Sequence, residues 1–332
     1  MEKIRLGIVG TGLIWRNTHR PVLDKLVDRY SIRALCVVKE GELSYWKGEY
    51  PQARYYRDYQ TLVEDPDIDA VLVATPISLN PIVSIAALKA GKNVFEEKPI
   101  AVTSAQAEEV LAAQNVYGKK VFMLEQLMYD PKILNLQKLV REQTLGRPVS
   151  YEMLTHFILD PEKDGEKSFS RTPWRMNPDF PLGAIFDGGA HDFAILTALF
   201  GSPDTVFSYG SKLRETMGEY DHVMSLLAYK NGIAGMHSHS AYLGCSNNYF
   251  NVRFAQGAVY VEDNGLTIER RTGEQEKITF PESNLHELMW NDLYDIYFCR
   301  KEPVFTSEQA ADSVLIFDAI TSSIRSGRSA TI

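Results

Sequence analysis

Residues 4–14 read IRLGIVGTGLI, a short apolar run that ends in the turn Gly10-Thr11-Gly12. Apolar residues then recur at roughly helical spacing across residues 13–26, so the stretch predicts a strand, a tight turn and a helix. In such a unit Gly10 allows the sharp turn, Gly12 lets the backbone approach a pyrophosphate, and amide groups at the helix start attract its negative charge. The stretch therefore predicts a dinucleotide-binding turn at the start of an α/β fold.

The third glycine of the dinucleotide-binding fingerprint is missing from this turn. Trp15 takes its place, so the close contact between helix and strand that the glycine permits must be made differently. Two glycines alone are weak evidence, since glycines also end strands for structural reasons. The turn by itself leaves nucleotide binding and a purely structural role open.

The next segments alternate between strand-like and helix-like patterns. Apolar strand-like runs occupy residues 31–38, 68–74 and 120–124, another apolar segment ends at Glu97, and helix-like patterns occupy residues 59–64, 81–90 and 104–117. This alternation predicts right-handed crossovers and a parallel, doubly wound sheet, whose ligands bind beyond the carboxyl ends of the strands. Gly10, Thr75-Pro76 and Glu97-Lys98-Pro99 each follow a predicted strand, so we expect them to line one crevice.

Length and composition are typical of an enzyme with about two hydrophobic cores. The chain has 332 residues, and its net charge of -8 offers no general basic surface for nucleic acid. Cys36, Cys245 and Cys299 are widely spaced and form no C-x-x-C pair, so we expect reduced thiols. The sequence shows neither a signal peptide nor an apolar run long enough to span a bilayer. We therefore expect a cytoplasmic protein without a nucleic acid or membrane partner.

The second half of the chain has a different pattern. After a predicted helix at residues 131–143, short β-prone runs follow one another between polar or glycine-containing turns. These runs are residues 149–157, 205–212, 222–229, 233–242, 248–255, 257–262 and 266–270. Residues 307–326 have a helical pattern, and Ser307 or Thr306 can cap this last helix before Glu308. The sequence thus predicts a first domain over residues 1–124 and an α+β domain over residues 125–305, with the helix at 306–326 packing back near the first.

Asp187 and His191 lie four residues apart, before an apolar helix. On a helix this spacing puts the carboxylate and the imidazole on one face, with Cβ atoms about 5 to 6 Å apart. The alternative interpretation is a capping aspartate beside a core histidine, because structural ion pairs are also common. Gly188-Gly189 favours a functional pair, since it leaves the helix start bare of side chains, as the approach of a ligand requires.

Seven motifs carry a resemblance that runs nearly end to end. They are GTGLI at residues 10–14, Ala74-Thr75-Pro76, AALKAGKNV at residues 86–94, Glu97-Lys98-Pro99, Gly146-Arg147-Pro148, Asp187-x-x-x-His191 and the tail at residues 310–332. Together they resemble the glucose-fructose oxidoreductase/inositol dehydrogenase family (Gfo/Idh/MocA). The resemblance implies an NAD- or NADP-binding Rossmann domain and a C-terminal domain with a large open, mostly antiparallel sheet. It also implies hydride transfer at a carbinol or keto carbon of a sugar, an inositol or a sugar derivative.

The resemblance makes Lys98, Asp187 and His191 the catalytic group. Oxidation of a carbinol requires loss of the hydroxyl proton, so a base must lie within hydrogen-bond reach of that oxygen. An imidazole such as His191 suits this task near neutral pH. Lys98 can serve instead, or donate a hydrogen bond to the developing alkoxide, while Asp187 orients these groups or binds a substrate hydroxyl. The resemblance also implies a cis peptide bond between Lys98 and Pro99.

Further site residues follow from the same resemblance. The cofactor-binding set is Gly10, Thr11, Gly12, Leu13, Ile14, Lys39, Thr75, Pro76, Asn80, Glu97 and Lys98, and the substrate set is Tyr129, Trp174, Arg175, Asp187 and His191. Arg175 pairs either with an acidic substrate or with Asp187, and Tyr129 can equally belong to the core. His237 and His239 share a face of a predicted strand, as two metal ligands can. Because the sequence places no third ligand, we prefer an ordinary sheet surface and expect no metal.

The chain also departs from the family pattern. Val37-Val38-Lys39-Glu40 stands where NAD-preferring members carry an acidic residue for the ribose hydroxyls. Lys39 at a 2′-phosphate would favour NADP, whereas Glu40 at the ribose would favour NAD, so both cofactors remain open. Because Trp15 can crowd the pyrophosphate, a catalytically silent regulator or interaction protein is the alternative to an NAD(P)-dependent dehydrogenase or reductase. The resemblance also predicts a homodimer or homotetramer formed through sheet faces.

Overall fold

The computed structural model of the chain describes residues 2–165, 168–299 and 301–332. Its strands are β1 (Ile4–Val9), β2 (Tyr30–Cys36), β3 (Arg54–Tyr56), β4 (Ala70–Val73), β5 (Asn93–Glu97), β6 (Val121–Leu124), β7 (Pro148–His156), β8 (Thr205–Ser211), β9 (His222–Ala228), β10 (Ala234–Ser240), β11 (Asn247–Phe254), β12 (Gly257–Glu262), β13 (Gly265–Arg270), β14 (Gln275–Thr279) and β15 (Ala330–Thr331). Its α-helices are α1 (Arg20–Leu23), α2 (Leu43–Glu49), α3 (Tyr59–Val63), α4 (Asn80–Lys89), α5 (Ser104–Tyr117), α6 (Pro131–Glu142), α7 (Pro173–Met176), α8 (Ala184–Asp187), α9 (Gly189–Phe200), α10 (Leu285–Cys299) and α11 (Ser307–Ser326). Among these helices none is long and apolar enough to cross a membrane.

The chain divides into two compact units. The first comprises Met1–Gln126 and Asn284–Val314, and the second comprises Leu127–Ser283 and Leu315–Ile332. The chain therefore leaves the first unit and returns to it, and the division falls within α11. The domain bounds expected from the sequence stay a prediction.

The first unit is built on a six-stranded parallel sheet in the order β3-β2-β1-β4-β5-β6. Its central strands are buried over almost their whole length, as near-continuous apolar runs covered on both faces require. The chain runs outward from β1 through β2 to β3 and then crosses back to β4 on the other side of β1, so the strand order reverses there. This doubly wound α/β sheet confirms the first half of the predicted fold class.

The helix after the glycine turn differs from the sequence expectation. Residues 13–26 do not form one α-helix: a π-helical segment occupies Trp15–His19, and α1 ends at Leu23. Pro21 lies in the first turn of α1, where its missing amide hydrogen breaks no helical hydrogen bond. The ring of Trp15 is fully buried against Trp46 and Tyr50.

Helix α10 was not predicted from the sequence and packs within the first unit. Trp290, at its centre, is fully buried with its ring 5.2 Å from that of Tyr30 and 5.1 Å from that of Phe95. The Tyr30 hydroxyl also donates a hydrogen bond to the Trp290 carbonyl oxygen at 2.7 Å. Met289, Leu293 and Ile296 recur at helical spacing and are buried, so the periodicity that indicates this helix is present in the sequence although the sequence analysis did not use it.

The second unit contains a nine-stranded sheet in the order β14-β13-β12-β11-β7-β10-β9-β8-β15. All neighbours are antiparallel except β7 and β10, which run parallel. Buried and exposed residues alternate along β9, as expected for a sheet with one covered and one open face. This large, mostly antiparallel sheet confirms the second half of the predicted fold class.

Candidate active site

The glycine turn joins two strand ends in the first unit. Gly10 has φ +104°, and a Cβ added there would collide with the carbonyl group of Ala74, directly after β4. A Cβ at Gly12, by contrast, would meet no heavy atom of the described residues within 4 Å. Gly10 is therefore required by the close approach of the strand ends, whereas Gly12 keeps one side of the turn open to a ligand.

Arg16 fixes the turn from the π-helical segment. Its Nε donates to the Thr11 carbonyl oxygen at 3.0 Å, and its Nη2 donates to a Glu42 carboxylate oxygen at 2.8 Å. The guanidinium lies 4.6 Å from the centre of the Trp46 ring, a cation–π distance. Trp15 itself is buried, so its ring lies in the core of the unit rather than on the open side of the turn.

Asn80 ties the ends of β4 and β5 together. Its Nδ2 donates to the carbonyl oxygens of Glu97 at 3.0 Å and Pro99 at 3.4 Å, and its Oδ1 accepts from the Thr75 hydroxyl at 2.7 Å. The side chain is fully buried. The peptide bond between Lys98 and Pro99 is cis, as the resemblance implies. Asn80 thus binds the backbone on both sides of Lys98. A contact between Asn80 and the cofactor stays a prediction.

The Glu97 side chain contacts His19, which in turn contacts Trp290; the sequence analysis missed both residues. His19 Nε2 lies 2.6 Å from Glu97 Oε1, and Trp290 Nε1 donates to His19 Nδ1 at 3.2 Å. All three side chains are buried or nearly so. His19 and Glu97 are 78 residues apart and His19 and Trp290 are 271 apart, so no local sequence signal links them.

The segment after β2 contains Lys39 and Glu40, the two residues expected to bind the cofactor near its ribose. Lys39 is largely exposed, with Nζ 3.8 Å from Glu42 Oε1. Glu40 is also exposed and forms an ion pair with Arg57 at 2.6 Å. An exposed ion pair of this kind contributes little energy, so neither side chain is strongly held.

In the second unit, Asp187 and His191 lie on either side of the junction between α8 and α9. Asp187 ends α8, Gly188 keeps helical dihedrals at the junction, and α9 begins at Gly189. Arg175 Nε donates to Asp187 Oδ2 at 2.6 Å, and the guanidinium lies 3.9 Å from the centre of the Trp174 ring. Arg175 thus pairs with Asp187, which is one of the two roles considered for it.

Gly188 and Gly189, at this junction, pack against protein, contrary to the interpretation made from the sequence. A Cβ at Gly188 would lie 3.0 Å from His239 Nε2 and 3.1 Å from the Phe157 ring, and one at Gly189 would lie 2.8 Å from an Ile185 side-chain carbon. The two glycines therefore make room for the buried side chains beneath the helix. Asp187 and His191 project from a backbone that rests directly on His239.

His237 and His239 are fully buried, so the interpretation as an ordinary sheet surface was wrong. His237 Nε2 and His239 Nδ1 each lie 2.9 Å from Asp192 Oδ2, and the Thr155 hydroxyl donates to Asp192 Oδ1 at 2.9 Å. Burial opposes ionisation of Asp192, but the hydrogen bonds from the two imidazoles outweigh it and hold its pKa well below the usual range. The sequence analysis missed Asp192, because it comes from a helix rather than from the histidines' strand.

The same three residues offer ligand atoms within 4.8 Å of one another, as a metal site would. Metal-bound histidines usually donate their second ring N–H to an acceptor. Here His237 Nδ1 and His239 Nε2 are buried without a hydrogen-bond partner among the described residues. A metal would turn both atoms into buried N–H donors without acceptors, so the geometry favours a hydrogen-bonded cluster.

Tyr129 ends a 3-10 helix at Gln126–Tyr129 and is 7% exposed, within the second unit. Within the first unit, the structure brings together the glycine turn, Thr75 and the Lys98 segment at the carboxyl ends of the adjacent strands β1, β4 and β5. Within the second unit, it brings together Trp174, Arg175, Asp187 and the start of α9. The meeting of Lys98 with Asp187 and His191 stays a prediction.

Comparison with protein families decides the relationship. A model described as the oxidoreductase family with an NAD-binding Rossmann fold matches residues 4–125, and one described as the GFO/IDH/MocA C-terminal domain matches residues 133–260. The chain belongs to the Gfo/Idh/MocA family. The family resemblance inferred from the motifs is thereby confirmed.

Relatives with curated names are moderately similar to this family member. An uncharacterized protein of Saccharomyces cerevisiae is 30% identical over 235 residues, which is 70% of this chain and 65% of the relative. The scyllo-inositol 2-dehydrogenase (NADP(+)) IolW of Bacillus subtilis is 28% identical over 229 residues, 69% of this chain and 61% of the relative. The aligned region thus spans less than two thirds of either relative's length.

Solved structures share the whole fold. An oxidoreductase from Thermotoga maritima superposes with a TM-score of 0.88 at 23% identity, covering 99% of this chain and 98% of the other. The WlbA dehydrogenase from Bordetella pertussis, solved with NADH and UDP-GlcNAcA, gives a TM-score of 0.85 at 21% identity, covering 100% and 99%. These similarities establish the fold of both units.

Proposed function

We propose that this protein is an NAD(P)-dependent oxidoreductase that acts on a carbinol or keto carbon of a sugar, an inositol or a sugar derivative. The observation that carries the proposal is the grouping of Gly12, Thr75 and Lys98 at the carboxyl ends of three adjacent parallel strands. Ligands of open α/β sheets bind at this edge, and the turn at Gly12 is free of side chains. The family membership and the names of its relatives support the same activity.

The residues of the turn fit a dinucleotide. Gly12 leaves one side of the turn open for a pyrophosphate to approach the backbone, and Arg16 binds the Thr11 carbonyl oxygen. The bound nicotinamide supplies the centre that accepts or donates hydride. In this proposal Gly10, Thr11, Gly12, Leu13 and Ile14 bind the pyrophosphate side, and Lys39 binds near the ribose.

Proton transfer is assigned to His191 of the second unit. Stabilisation of the charge that develops on the substrate oxygen is assigned to Lys98. His191 takes the hydroxyl proton, because an imidazole can accept it near neutral pH. Lys98 donates a hydrogen bond to the oxygen that gains charge. Asp187, already bound by Arg175, orients the group, and Trp174 and Tyr129 contribute to substrate binding.

We further propose a preference for NADPH. Within the described residues, no carboxylate follows directly on the end of β2, and the side chain of Lys39 is free enough to reach a 2′-phosphate. Titration of cofactor-stripped protein with NADH and NADPH, followed by nicotinamide fluorescence, tests this. Lys39→Ala should weaken NADPH binding and leave NADH binding unchanged, whereas Lys47→Ala on α2 serves as the control. Equal affinities in the wild type would refute the preference.

Turnover tests the activity itself. Inositols, aldoses, polyols, sugar acids and nucleotide sugars would be screened with the preferred cofactor at 340 nm. The proposal requires at least one substrate with saturable turnover. If the cofactor binds but no compound in the panel reacts, the catalytically silent binding protein becomes the better description.

We also propose that the protein forms a homodimer through the open face of the second sheet. This face exposes large apolar side chains on neighbouring strands, including Tyr209 at 68% and Leu226 at 57% exposure. Exposed contiguous apolar surface of this kind is typical of interaction sites. Light scattering of the purified protein would give the mass; a monomer at micromolar concentration would refute the proposal.

A cytoplasmic location is the last part of the proposal. Cys36, Cys245 and Cys299 are all free thiols in this structure, as a reducing compartment allows. Cell fractionation tests it, and recovery in a secreted or membrane fraction would contradict it.

A further inference from the structure

A chain of hydrogen bonds reaches from α10 to the residue before Lys98. Trp290 Nε1 donates to His19 Nδ1 at 3.2 Å, and His19 Nε2 lies 2.6 Å from Glu97 Oε1. The Trp290 ring meets the His19 ring edge-on, with centres 5.7 Å apart. His19 and Trp290 are fully buried and Glu97 nearly so.

The chemistry of these groups permits a single assignment of protons. An indole Nε1 can only donate, so His19 Nδ1 must be the acceptor and carry no proton. The proton of a neutral imidazole then resides on Nε2 and is donated to Glu97 Oε1. Glu97 therefore accepts this hydrogen bond from His19, which holds its carboxylate in one position.

The backbone of the same segment is held independently. Asn80 donates to the carbonyl oxygens of Glu97 and Pro99, the two residues that flank Lys98. Glu97 is also the last residue of β5, where it pairs with Leu124 of β6. The backbone and the preceding side chain are thus both fixed, and Lys98 is the residue between these two restraints.

We propose that His19, donating to Glu97 and accepting from Trp290, is a positioning residue for Lys98. This inference rests on the proposed function, in which Lys98 stabilises charge on the substrate oxygen. Its physical basis is that a hydrogen bond contributes to catalysis only if the donor is already in place, and a displacement of about 1 Å can cost up to about 100-fold in rate. The π-helical segment that ends at His19 is what carries the imidazole to Glu97.

Substitutions of His19 separate the two hydrogen bonds. His19→Phe keeps the ring and removes both bonds, whereas His19→Gln places an amide N–H near the Nε2 position and can still donate to Glu97. We expect His19→Phe to lower kcat by up to about 100-fold with cofactor affinity and KM nearly unchanged. His19→Gln should recover much of this loss.

Trp290→Phe has a close control. Both Trp290 and Trp46 are fully buried in the first unit, but the Trp46 indole N–H has no hydrogen-bond partner among the described residues. Trp290→Phe should lower kcat, whereas Trp46→Phe removes an equal volume, keeps an aromatic ring beside Arg16 and should leave kcat unchanged. An equal decrease in both variants would assign the effect to packing and overturn the proposal.

A double-mutant cycle addresses Lys98 directly. If His19 acts through Lys98, His19→Phe should have little further effect in a Lys98→Ala background. Fully additive losses in rate would show that His19 acts by another route and would contradict the inference.

Two measurements need no substrate. Nitrogen-15 NMR of the histidine rings should find His19 with its proton on Nε2, and the rate at which trace acetic anhydride labels Lys98, relative to Lys119, should change in His19→Phe but not in Trp46→Phe. A proton on Nδ1, or an unchanged labelling rate, would overturn the positioning role. If the wild type turns over no substrate while both results hold, the proposed function fails and the structural coupling stands.

Discussion

At the scale of the residue, the contacts of single side chains explain their proposed roles. Lys98 follows β5, and its neighbours on both sides are held by Asn80. The sequence points to Lys98 because a lysine between glutamate and proline is a specific motif of the family. It does not point to His19, whose partners are distant in sequence.

Lys98→Ala should lower the rate by about 100-fold or more while cofactor affinity stays nearly constant, because the variant loses the hydrogen bond that stabilises charge on the substrate oxygen but no pyrophosphate contact. Steady-state kinetics and fluorescence titration measure the two effects. Lys120→Ala, on the same unit, is the control. A comparable loss of cofactor affinity would instead assign Lys98 a binding or structural role.

Glu96 provides a prediction of pH-dependent stability. Its carboxyl group is fully buried, and burial raises its pKa well above the usual value, which a weak interaction with Ser84 offsets only in part. The folded state therefore keeps the proton at pH values where the unfolded chain has lost it. Stability is lost as the pH rises from the unfolded value of 4.5 toward the folded value, at about 1.4 kcal/mol per pH unit.

Glu96→Gln should remove this penalty, since the amide has no proton to lose. Urea unfolding at pH 5 and pH 8 should show the variant gaining stability relative to the wild type as the pH rises. Exposed Glu109→Gln is the control. A difference that does not grow with pH would show that Glu96 is ionised in the folded protein.

At the scale of the element, the two glycines at the junction of α8 and α9 show how a helix is adapted to a buried cluster. The two glycines leave space for His239, which Asp192 holds together with His237. The pattern of glycines was visible in the sequence, but its cause was not, because the partner strand β10 lies about fifty residues further along the chain. The same limit applies to the π-helical segment at Trp15–His19, which a periodicity of 3.6 cannot reveal.

Asp192→Asn should destabilise the protein by about 3–5 kcal/mol, because it leaves two buried imidazoles without their shared carboxylate. Urea unfolding gives this value, with exposed Asp179→Asn as the control. The pKa of Asp192 is depressed, so its contribution is present above the unfolded pKa of 3.8 and is lost as the pH falls below it. Metal analysis of the wild type should find no stoichiometric transition metal; one equivalent per chain, lost in the variant, would establish a metal site instead.

Alanine substitution of Gly188 should lower stability, whereas alanine substitution of Gly12 should weaken cofactor binding. Gly188→Ala forces a Cβ against His239 and Phe157 and should cost about 1–3 kcal/mol of stability. Gly12→Ala meets no heavy atom within 4 Å, so its effect on stability should stay within about 0.5 kcal/mol, while NADPH binding weakens. Chemical unfolding and cofactor titration of both variants test this contrast. Unchanged cofactor affinity in Gly12→Ala would argue against the turn as the pyrophosphate site.

At the scale of the whole molecule, two units with different sheets each place a group of candidate residues. The parallel sheet of the first unit brings three strand ends together, and the covered face of the second sheet holds the cluster beneath Asp187 and His191. The other face of the second sheet exposes apolar side chains on β8 and β9.

Leu226→Lys should shift the protein from dimer to monomer without unfolding it, because a charge on this exposed face disrupts association and touches no core. Light scattering and circular dichroism measure the two properties. Lys277→Glu, on the distant edge strand β14, is the control. A dimer that persists in Leu226→Lys would place the interface elsewhere.

The sequence by itself determined the α/β fold of the first unit, the α+β character of the second and the family. Each of these follows from local signals: apolar runs, their spacing, and motifs such as Glu97-Lys98-Pro99. Only the tertiary structure decided that His19 and Trp290 hold Glu97, that Asp192 joins His237 and His239, and that Gly188-Gly189 faces protein. Hydrogen bonding between buried groups depends on which segments the fold brings into contact, and periodicity within one segment contains no information about its distant partner.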